Sequence, residues 1–255
     1  MAPVALQHLI IKSGVSHILI NEDNKELKNR LQKVREDPVV DITVSNIPSW
    51  VKLFSTEYSV EKPPPENYNL VSLCIVLHSS GSTALLELNP WTHRMVHTTL
   101  WQPWYGERDI CGQVMSTPSI PMAGTAGVMQ ALFLASSGII ISGFQPTSPP
   151  TLPNPQNVWT NMIATESTYG FVLQPFFSVW SEDPDKVKTL ASLKGVMFGG
   201  GPLPRAVGDK LAEKGVNIST FFGLSEGSLM NKVFPRKMGL NWEWFSFYSL
   251  VNPAF

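Results

Sequence analysis

Cysteine and long apolar runs are both scarce in this sequence of 255 residues. The two cysteines, Cys74 and Cys111, cannot supply the ligands of a structural zinc site, and a single pair makes no disulfide framework. The longest apolar window, 128–141, is interrupted by polar residues and a glycine, so it is too short to span a bilayer. We therefore predict no metal cage, no transmembrane helix and a reducing, cytoplasmic setting.

Charge of either sign is also low. Charged residues make up 15% of the sequence, the formal net charge is −1, and lysine and arginine form no block. A polyanion or an anionic membrane surface is usually bound by such a block, so we predict neither a nucleic-acid nor a membrane partner. Residues 1–12 lack a basic start followed by an apolar core, which is why no secretory signal is expected. The 43% hydrophobic content is enough for a substantial core.

Strand and helix patterns alternate along the chain, which is typical of α/β proteins. The opening predicts a helix at 4–12, a strand at 16–20, a helix at 22–34 and a strand at 39–44. These elements form a βαβ unit, whose strands are expected to be parallel. Residues 54–68 include the triplet Pro63-Pro64-Pro65 and cannot donate enough backbone hydrogen bonds for a strand. We therefore predict a front unit over 1–53, a linker over 54–69 and a core over 70–255.

The predicted core continues the alternation, with mostly parallel sheets layered with helices. Strands are predicted at 71–77, 139–142, 170–173, 195–198 and 217–222, and helices in the first part of 91–104 and at 125–137, 158–166, 183–191 and 204–214. The strand at 71–77 is uniformly apolar, so we expect it to be buried, with Cys74 in the core. The helix at 125–137 is apolar nearly all round, which indicates burial between layers, and Gly138 is its expected stop.

A loop of glycine and small hydroxyl residues follows the strand at 71–77. Its sequence is His78-Ser79-Ser80-Gly81-Ser82-Thr83. Backbone N–H and side-chain O–H groups in such a loop can surround an anion such as phosphate. Loops of this composition are also common as ordinary turns, so the loop by itself leaves both interpretations open.

Two further motifs give the chain a family resemblance. They are Gly199-Gly200-Gly201-Pro202-Leu203-Pro204 and Phe221-Phe222-Gly223-Leu224-Ser225-Glu226-Gly227. With the loop 79–83, they resemble the core motifs of the adenylate-forming superfamily, the AMP-binding enzymes that include acyl-CoA synthetases, luciferases and adenylation domains of peptide synthetases. The similarity is strongest to the fungal adenylate-forming reductases, which are peptide-synthetase-like enzymes. It extends to the segments Pro90–Arg94 and Trp104–Asp109.

The resemblance implies a phosphate-binding role for the first loop. Ser79, Ser80, Gly81, Ser82 and Thr83 would wrap the β- and γ-phosphates of ATP, and Thr83 would be one of the catalytic residues.

The loop departs from the family where a Pro-Lys pair usually follows it. This chain has Leu86-Glu87 instead. A carboxylate in place of an ammonium replaces attraction by repulsion, on the order of 1–4 kcal/mol for a charge pair at 4 Å. We therefore expect weak ATP binding.

The resemblance also assigns the adenine, the α-phosphate and the metal. Gly199, Gly200, Gly201 and Pro202 would lie against the adenine, because glycine permits close backbone approach. Phe222, next to Gly223, would stack on the purine where the family usually has Tyr. Ser225 would contact the α-phosphate and Glu226 would hold Mg²⁺, both as catalytic residues. Without these neighbours, Phe222 would be interpreted as a core aromatic and Glu226 as a surface charge.

A competing motif occupies the same place. The segment 223–227 satisfies Gly-x-Ser-x-Gly, the nucleophile elbow of α/β-hydrolases. That fold requires an acid and then a histidine after the serine, yet all five histidines precede Ser225 and no aspartate follows it. Chain order therefore argues against a hydrolase.

The segment expected near the acyl pocket departs from the family pattern. The reductases usually carry an aromatic residue followed by histidine where this chain has Ala123 and Gly124, within 121–127. We therefore expect a remodelled substrate pocket. His78, His93 and His97 are not spaced as a metal set and are interpreted as ordinary polar residues.

The resemblance implies ATP-dependent activation of a carboxylic acid to an acyl adenylate. The sequence continues for only 29 residues after Glu226 and contains no Thr-Gly-Asp motif, so we expect a partial N-terminal domain of such an enzyme, without its C-terminal lid and with weak or no activity. The expected partners are an adenine nucleotide, a carboxylic acid and a carrier domain or lid supplied by another chain. The alternative is a non-catalytic remnant or interaction protein that keeps the AMP-binding fold.

Overall fold

The structure is a computed structural model that describes residues 3–21, 24–48, 69–79, 86–147 and 150–248. The chain divides into two compact units, residues 1–93 and residues 94–255. The predicted linker lies outside the described residues except for Asn69. Among the described segments, no helix has the length and apolar character needed to cross a membrane.

The first unit opens with the predicted βαβ arrangement. Its elements are α1 (Pro3–Ser13), β1 (His17–Asn21), α2 (Lys25–Arg35) and β2 (Thr43–Ile47). β1 and β2 pair in parallel, which confirms the predicted topology. The Asn24 side chain accepts a hydrogen bond from the backbone N–H of Leu27 at 3.0 Å and so caps α2. Six apolar side chains form the core of this part: Ile10, Ile20, Leu31, Val34, Val40 and Ile42.

An antiparallel pair of strands completes the first unit. β3 (Leu73–Ser79) pairs with β4 (Glu87–Thr92), which was not predicted, since it contains Pro90. The expectation of a buried strand at 71–77 is wrong, because within β3 only Leu77 is buried. Cys74, predicted to be in the core, is exposed. A continuous apolar run therefore did not indicate burial here.

The second unit is built on a five-stranded parallel sheet in the order β6-β5-β7-β8-β9. Its strands are β5 (Val114–Ser116), β6 (Ile140–Ser142), β7 (Tyr169–Leu173), β8 (Gly195–Gly199) and β9 (Ile218–Phe221). Four of these five were predicted, and the three-residue β5 was not. A short hairpin, β10 (Gly223–Leu224) and β11 (Ser228–Leu229), follows the sheet.

Helices precede and connect the strands of this sheet. They are α3 (His93–Trp101), α4 (Thr125–Ser137), α5 (Pro155–Ala164), α6 (Gln174–Trp180), α7 (Pro184–Ser192) and α8 (Arg205–Glu213), with short 3₁₀ turns at Gln102–Tyr105 and Gly239–Asn241. α4 has its predicted bounds and ends at Gly138, which has a left-handed φ of 69°. Its burial was predicted all round, but Leu134 is 48% exposed, so α4 packs on one side only.

The core of the second unit lies between this sheet and its helices. Large side chains from β7, α6, β8 and α8 meet there, including Phe177, Trp180, Phe198 and Leu211. The Phe177 and Phe198 rings meet edge to face with centroids 6.3 Å apart. This packing fixes β8 and β9, whose carboxyl ends carry the predicted motifs.

Candidate functional site

The second and third predicted motifs meet at one edge of the parallel sheet. β8 and β9 are neighbours, and Gly199 lies opposite Phe221 in their register. Because parallel strands end at the same edge, the loops that follow them are brought together. They border a cavity of about 500 Å³, here called the first cavity. It is lined by Phe198, Gly199, Gly200, Gly201, Pro202, Leu203, Thr220, Phe221, Phe222, Gly223, Trp242 and Glu243.

Gly200 turns the chain away from β8. Its φ is +83°, in the left-handed region that residues with a Cβ rarely adopt. The chain then runs through Pro202 to the start of α8. One wall of the first cavity is therefore mostly backbone, with no side chain on three successive glycines.

Asn231 holds the backbone around Phe221 and Phe222. This side chain is 2% exposed, and its Oδ1 accepts a hydrogen bond from the backbone N–H of Phe222 at 2.8 Å. Its Nδ2 donates to the carbonyl oxygens of Thr220 at 2.9 Å and Lys232 at 3.0 Å. Asn231 was not predicted as a site residue, since nothing in its local sequence distinguishes it from a surface asparagine.

The Phe222 ring lines the first cavity and is 38% exposed. It stacks on Phe245, with the ring centroids 4.9 Å apart and the planes at 16°. One face of Phe222 is thus already covered by an aromatic ring, a contact that the motif itself did not indicate.

Trp242 and Glu243 were also missed, because they lie outside every quoted motif. The Trp242 indole N–H donates to Asp209 Oδ1 at 2.9 Å. A Cβ on Gly208 of α8 would overlap the indole ring, so the glycine makes room for Trp242. Glu243 lies 3.7 Å from Arg205 in an ion pair and places a carboxylate on the lining of the first cavity.

Ser225 and Glu226 lie in the turn of the β10–β11 hairpin. Ser225 is half-buried and lines a second cavity of about 250 Å³, whereas Glu226 is exposed. The second cavity shares Gly199, Gly200, Phe221 and Gly223 with the first. The two cavities therefore have part of their lining in common.

Most of the other residues around the second cavity are apolar. They include Ile120, Pro121, Ala126, Met129, Phe171 and Leu173. Pro121 and Ala126 belong to the segment 121–127 that was expected near an acyl pocket. The exposed Ala123 and half-buried Gly124 precede α4, so the side chains that the family carries at these positions are missing here.

The first loop belongs to the other unit. Ser79 is the last residue of β3 and lies opposite the exposed Glu87 of β4. Ser80, Gly81, Ser82 and Thr83 lie outside the described residues. The predicted shared cleft between this loop and the glycine triplet therefore stays a prediction.

Across the described parts of the chain, no group of three or more His, Cys, Asp or Glu side chains could hold a metal ion. Glu226 is therefore not part of an all-protein metal cage there. Mg²⁺ in nucleotide sites is usually bound by one or two carboxylates together with substrate phosphates, so a single carboxylate agrees with the predicted role.

The motifs at the strand ends and the parallel sheet define a class of α/β protein. Comparison of the sequence with models of known families identifies that class. The family model described as "AMP-binding enzyme" matches residues 1–244, and the chain belongs to this family. The resemblance to its acyl-adenylate-forming members is thereby confirmed.

Within this family, the chain is similar to fungal proteins. The chain is 35% identical over 258 residues to the adenylate-forming reductase Nps10 of Heterobasidion annosum, a match that covers 98% of this chain and 24% of that protein. It is 32% identical over 192 residues to the adenylate-forming reductase Nps9 of Serpula lacrymans, covering 70% of this chain and 17% of that protein. The chain thus spans a quarter or less of the length of these relatives.

Solved structures confirm the fold. The N-terminal domain of FACL13 from Mycobacterium tuberculosis matches with a TM-score of 0.76 at 16% identity, over 94% of this chain and 58% of that one. O-succinylbenzoate coenzyme A synthetase from Bacillus subtilis, solved in complex with ATP and magnesium, matches with a TM-score of 0.67 at 16% identity, over 92% of this chain and 45% of that one. The chain has the α/β fold of the N-terminal portion of these enzymes.

Proposed function

We propose that this chain binds ATP in the first cavity and activates a carboxylic acid as its acyl adenylate. One observation carries the proposal: the glycine triplet and the Phe222 loop, which follow two neighbouring strands, line a single cavity at the carboxyl ends of β8 and β9. Ligands of open α/β sheets characteristically bind at this edge.

The adenine fits the first cavity by shape and chemistry. A flat base needs a wall without side chains on one side and an aromatic surface on the other. Gly199, Gly200 and Gly201 supply the first, and Phe222 supplies the second. Phe245 covers one face of the Phe222 ring, and the base would stack on the other.

The acid would occupy the second cavity. Its mostly apolar lining favours an apolar acid, and Ser225 at its edge would contact the α-phosphate. A carboxylate oxygen of the acid attacks the α-phosphorus, the bond to the β-phosphate oxygen breaks, and pyrophosphate leaves. The wall shared by the two cavities would place the acid next to the nucleotide.

Glu226 would hold Mg²⁺, which offsets negative charge on the phosphates when bound. Ser79, Ser80, Gly81, Ser82 and Thr83 would cradle the β- and γ-phosphates. The activated acyl group would pass to a carrier domain.

Glu87 would weaken nucleotide binding. It is exposed and opposite Ser79 at the end of the β3–β4 pair, next to the loop proposed to hold phosphate. A carboxylate there repels the triphosphate, so we propose that ATP binds weakly and turnover is slow.

The first test is ATP binding by calorimetry in the presence of Mg²⁺, with variants of Phe222. Removing the ring in Phe222→Leu is expected to weaken ATP binding about tenfold, because base–aromatic stacking is worth 1–3 kcal/mol. Phe222→Tyr keeps the ring and is the matched control, expected to bind like the parent chain. Equal affinities in all three proteins would contradict an adenine at this position.

Acid-dependent exchange of labelled pyrophosphate into ATP tests the chemistry. Exchange above the background without acid supports acyl-adenylate formation. Measurable ATP binding with no exchange for any carboxylic acid in a broad panel would favour the non-catalytic alternative.

The second test is Glu87→Lys, which restores the charge that the family places after the loop. We expect ATP to bind about five- to tenfold more tightly, since about 1 kcal/mol or more of repulsion is removed. AMP, which lacks the β- and γ-phosphates, should gain much less and serves as the control ligand. An equal gain for both ligands, or none, would contradict a phosphate next to Glu87.

A further inference from the structure

A third cavity, of about 250 Å³, lies in the second unit between α3 and the β10–β11 hairpin. It shares only Ser228 with the second cavity. Its lining residues are Arg94, Met95, Thr98, Thr99, Gln102, Tyr105, Gly227, Ser228, Leu229 and Tyr248. The proposed nucleotide and acid sites leave this cavity without a role.

Two buried polar atoms on this lining have no hydrogen-bond partner. They are the hydroxyl oxygen of Tyr248, a residue 3% exposed, and the amide oxygen of Gln102, a residue 4% exposed. Buried polar groups in folded proteins are nearly always paired, because leaving one unpaired costs about 1–3 kcal/mol. A group bound in this cavity that supplied both partners would remove that cost.

Other buried polar groups on this lining are paired. The amide nitrogen of Gln102 donates to the carbonyl oxygen of Leu229 at 2.9 Å. The Thr99 hydroxyl bonds to the Ser228 hydroxyl at 2.9 Å. These bonds fix the Gln102 amide in orientation, so its oxygen is available only as an acceptor.

The charge around the third cavity has one sign. Arg94 is the single charged residue among its lining residues that the structure describes. Burial raises the pKa of the Tyr248 hydroxyl, so this group stays a neutral donor at any ordinary pH. A cation and a hydroxyl donor with no carboxylate favour an anionic group, and the Gln102 oxygen requires a donor on the same molecule.

We propose that the third cavity binds a small carboxylate that also carries a hydroxyl group. The carboxylate accepts a hydrogen bond from Tyr248 and pairs with Arg94, while the ligand hydroxyl donates to the Gln102 amide oxygen. The volume suits such a molecule, since a cavity of about 150 Å³ already holds benzene. This inference goes beyond the proposed function, because the binding requires no nucleotide.

Three small molecules test the two halves of the recognition. 3-Hydroxybutyrate has both groups, butyrate lacks the hydroxyl, and 1,3-butanediol lacks the carboxylate. In ligand-observed NMR titrations of the full chain without nucleotide, we expect 3-hydroxybutyrate to bind and each of the other two to bind about tenfold more weakly. Failure of 3-hydroxybutyrate to bind, or equal binding of all three, would overturn the proposal.

Tyr248→Phe places the binding in the third cavity. It removes a hydroxyl that has no partner in the structure, so the fold should be retained, and 3-hydroxybutyrate should bind about tenfold more weakly. Tyr169→Phe makes the same change on β7, away from this cavity, and should bind like the parent chain. Should Tyr248→Phe fold poorly, Arg94→Gln at the exposed rim should also weaken 3-hydroxybutyrate several-fold. Unchanged binding in Tyr248→Phe and Arg94→Gln would overturn the proposal, since an ordered water or another site then explains the data.

The hydroxy acid in the third cavity is a separate molecule from the acid that the chain activates, which the proposed function places in the second cavity. With ATP and Mg²⁺ added, we therefore expect 3-hydroxybutyrate to bind in a Tyr248-dependent way and to release no pyrophosphate. Pyrophosphate release that depends on 3-hydroxybutyrate and is lost in Tyr248→Phe would contradict a separate third site. If the chain binds 3-hydroxybutyrate in a Tyr248-dependent way but does not bind ATP, the proposed function is contradicted and the proposal for the third cavity is not.

Discussion

At the scale of single residues, the first cavity depends on backbone placement more than on the side chains that line it. Gly200 supplies a left-handed turn after β8, and Asn231 binds the backbone on both sides of Phe221. Neither needs to touch a ligand for the cavity to exist. Substitutions at these positions should therefore change stability and nucleotide affinity together.

Asn231→Ala is the sharpest test of this dependence. It removes three hydrogen bonds in a buried setting, which join Asn231 to the N–H of Phe222 and to the carbonyl oxygens of Thr220 and Lys232. We expect a loss of about 2–4 kcal/mol in the free energy of unfolding, measured by urea denaturation, with weaker ATP binding. Asn231→Asp keeps the acceptor for Phe222 and should lie between the two proteins. A stable Asn231→Ala protein with normal ATP affinity would show that Asn231 does not position the loop.

The family resemblance predicted only part of the lining of the first cavity. Gly200 and Phe222 were named because they belong to contiguous motifs of that family, and their roles stay predictions. Asn231, Trp242 and Glu243 came together with them only through the fold, across the β10–β11 hairpin and from beyond α8. A residue that acts by bonding to distant backbone leaves no local pattern, so sequence reasoning could not single it out.

At the scale of helices and strands, hydrophobic periodicity and end signals predicted the longer elements, whose bounds are set by their local sequence. α4 and its Gly138 stop are confirmed, and β7 to β9 lie within one or two residues of their predicted bounds. The missed elements are short or carry proline. β5 has three residues, β10 and β11 have two each, and α6 has Pro175 in its first turn.

Burial was harder to predict than element type. The apolar run of β3 has the composition of a central parallel strand, yet β3 pairs with β4 and is mostly exposed. An apolar composition shows that a strand can be buried. Which of its faces is buried depends on the strands and helices that pack against it. The same reason explains the exposed Leu134 on α4.

The start of α7 yields a pH-dependent prediction. The Asp183 side chain accepts hydrogen bonds from the backbone N–H groups of Asp185 and Lys186, and it pairs with the Lys186 ammonium at 3.2 Å. The hydrogen bond from the Lys186 side chain is the main cause that lowers the pKa of Asp183 below its ordinary value of 3.8. A carboxyl with a lowered pKa stabilises the fold above its unfolded-state pKa, and this contribution is lost as pH falls through the folded-state pKa.

We therefore expect Asp183→Asn, which keeps the capping oxygen without the charge, to have a slightly lower Tm than the parent chain at pH 7. The difference should shrink below pH 3.8 and vanish at lower pH. Thermal melts of both proteins over this range measure it. A difference that is constant with pH would contradict a role for the ionised carboxylate.

At the scale of the whole molecule, the chain carries two compact units with separate cores. Leu31 is 2% exposed in the first and Leu211 is 0% exposed in the second. Truncation of either leaves a cavity that costs about 2–5 kcal/mol. If the two units open independently, a truncation in one unit should destabilise only that unit.

We expect Leu31→Ala to raise hydrogen exchange at core amides of residues 1–93 only, and Leu211→Ala to raise it at core amides of residues 94–255 only. Each unit buries its own apolar residues, so its local opening should not require the other. Mass spectrometry of exchanged peptides measures both variants against the parent chain. An equal rise in both units for either variant would mean that the chain opens as one cooperative body.

Gly199, Gly200, Phe221 and Gly223 line both the first and the second cavity. A ligand that shifts these residues in one cavity therefore also changes the lining of the other. Binding in one cavity that moves these residues changes the free energy of binding in the other cavity, in the favourable or the unfavourable direction. Thermodynamic reciprocity then requires that each occupant alter the dissociation constant of the other by the same factor.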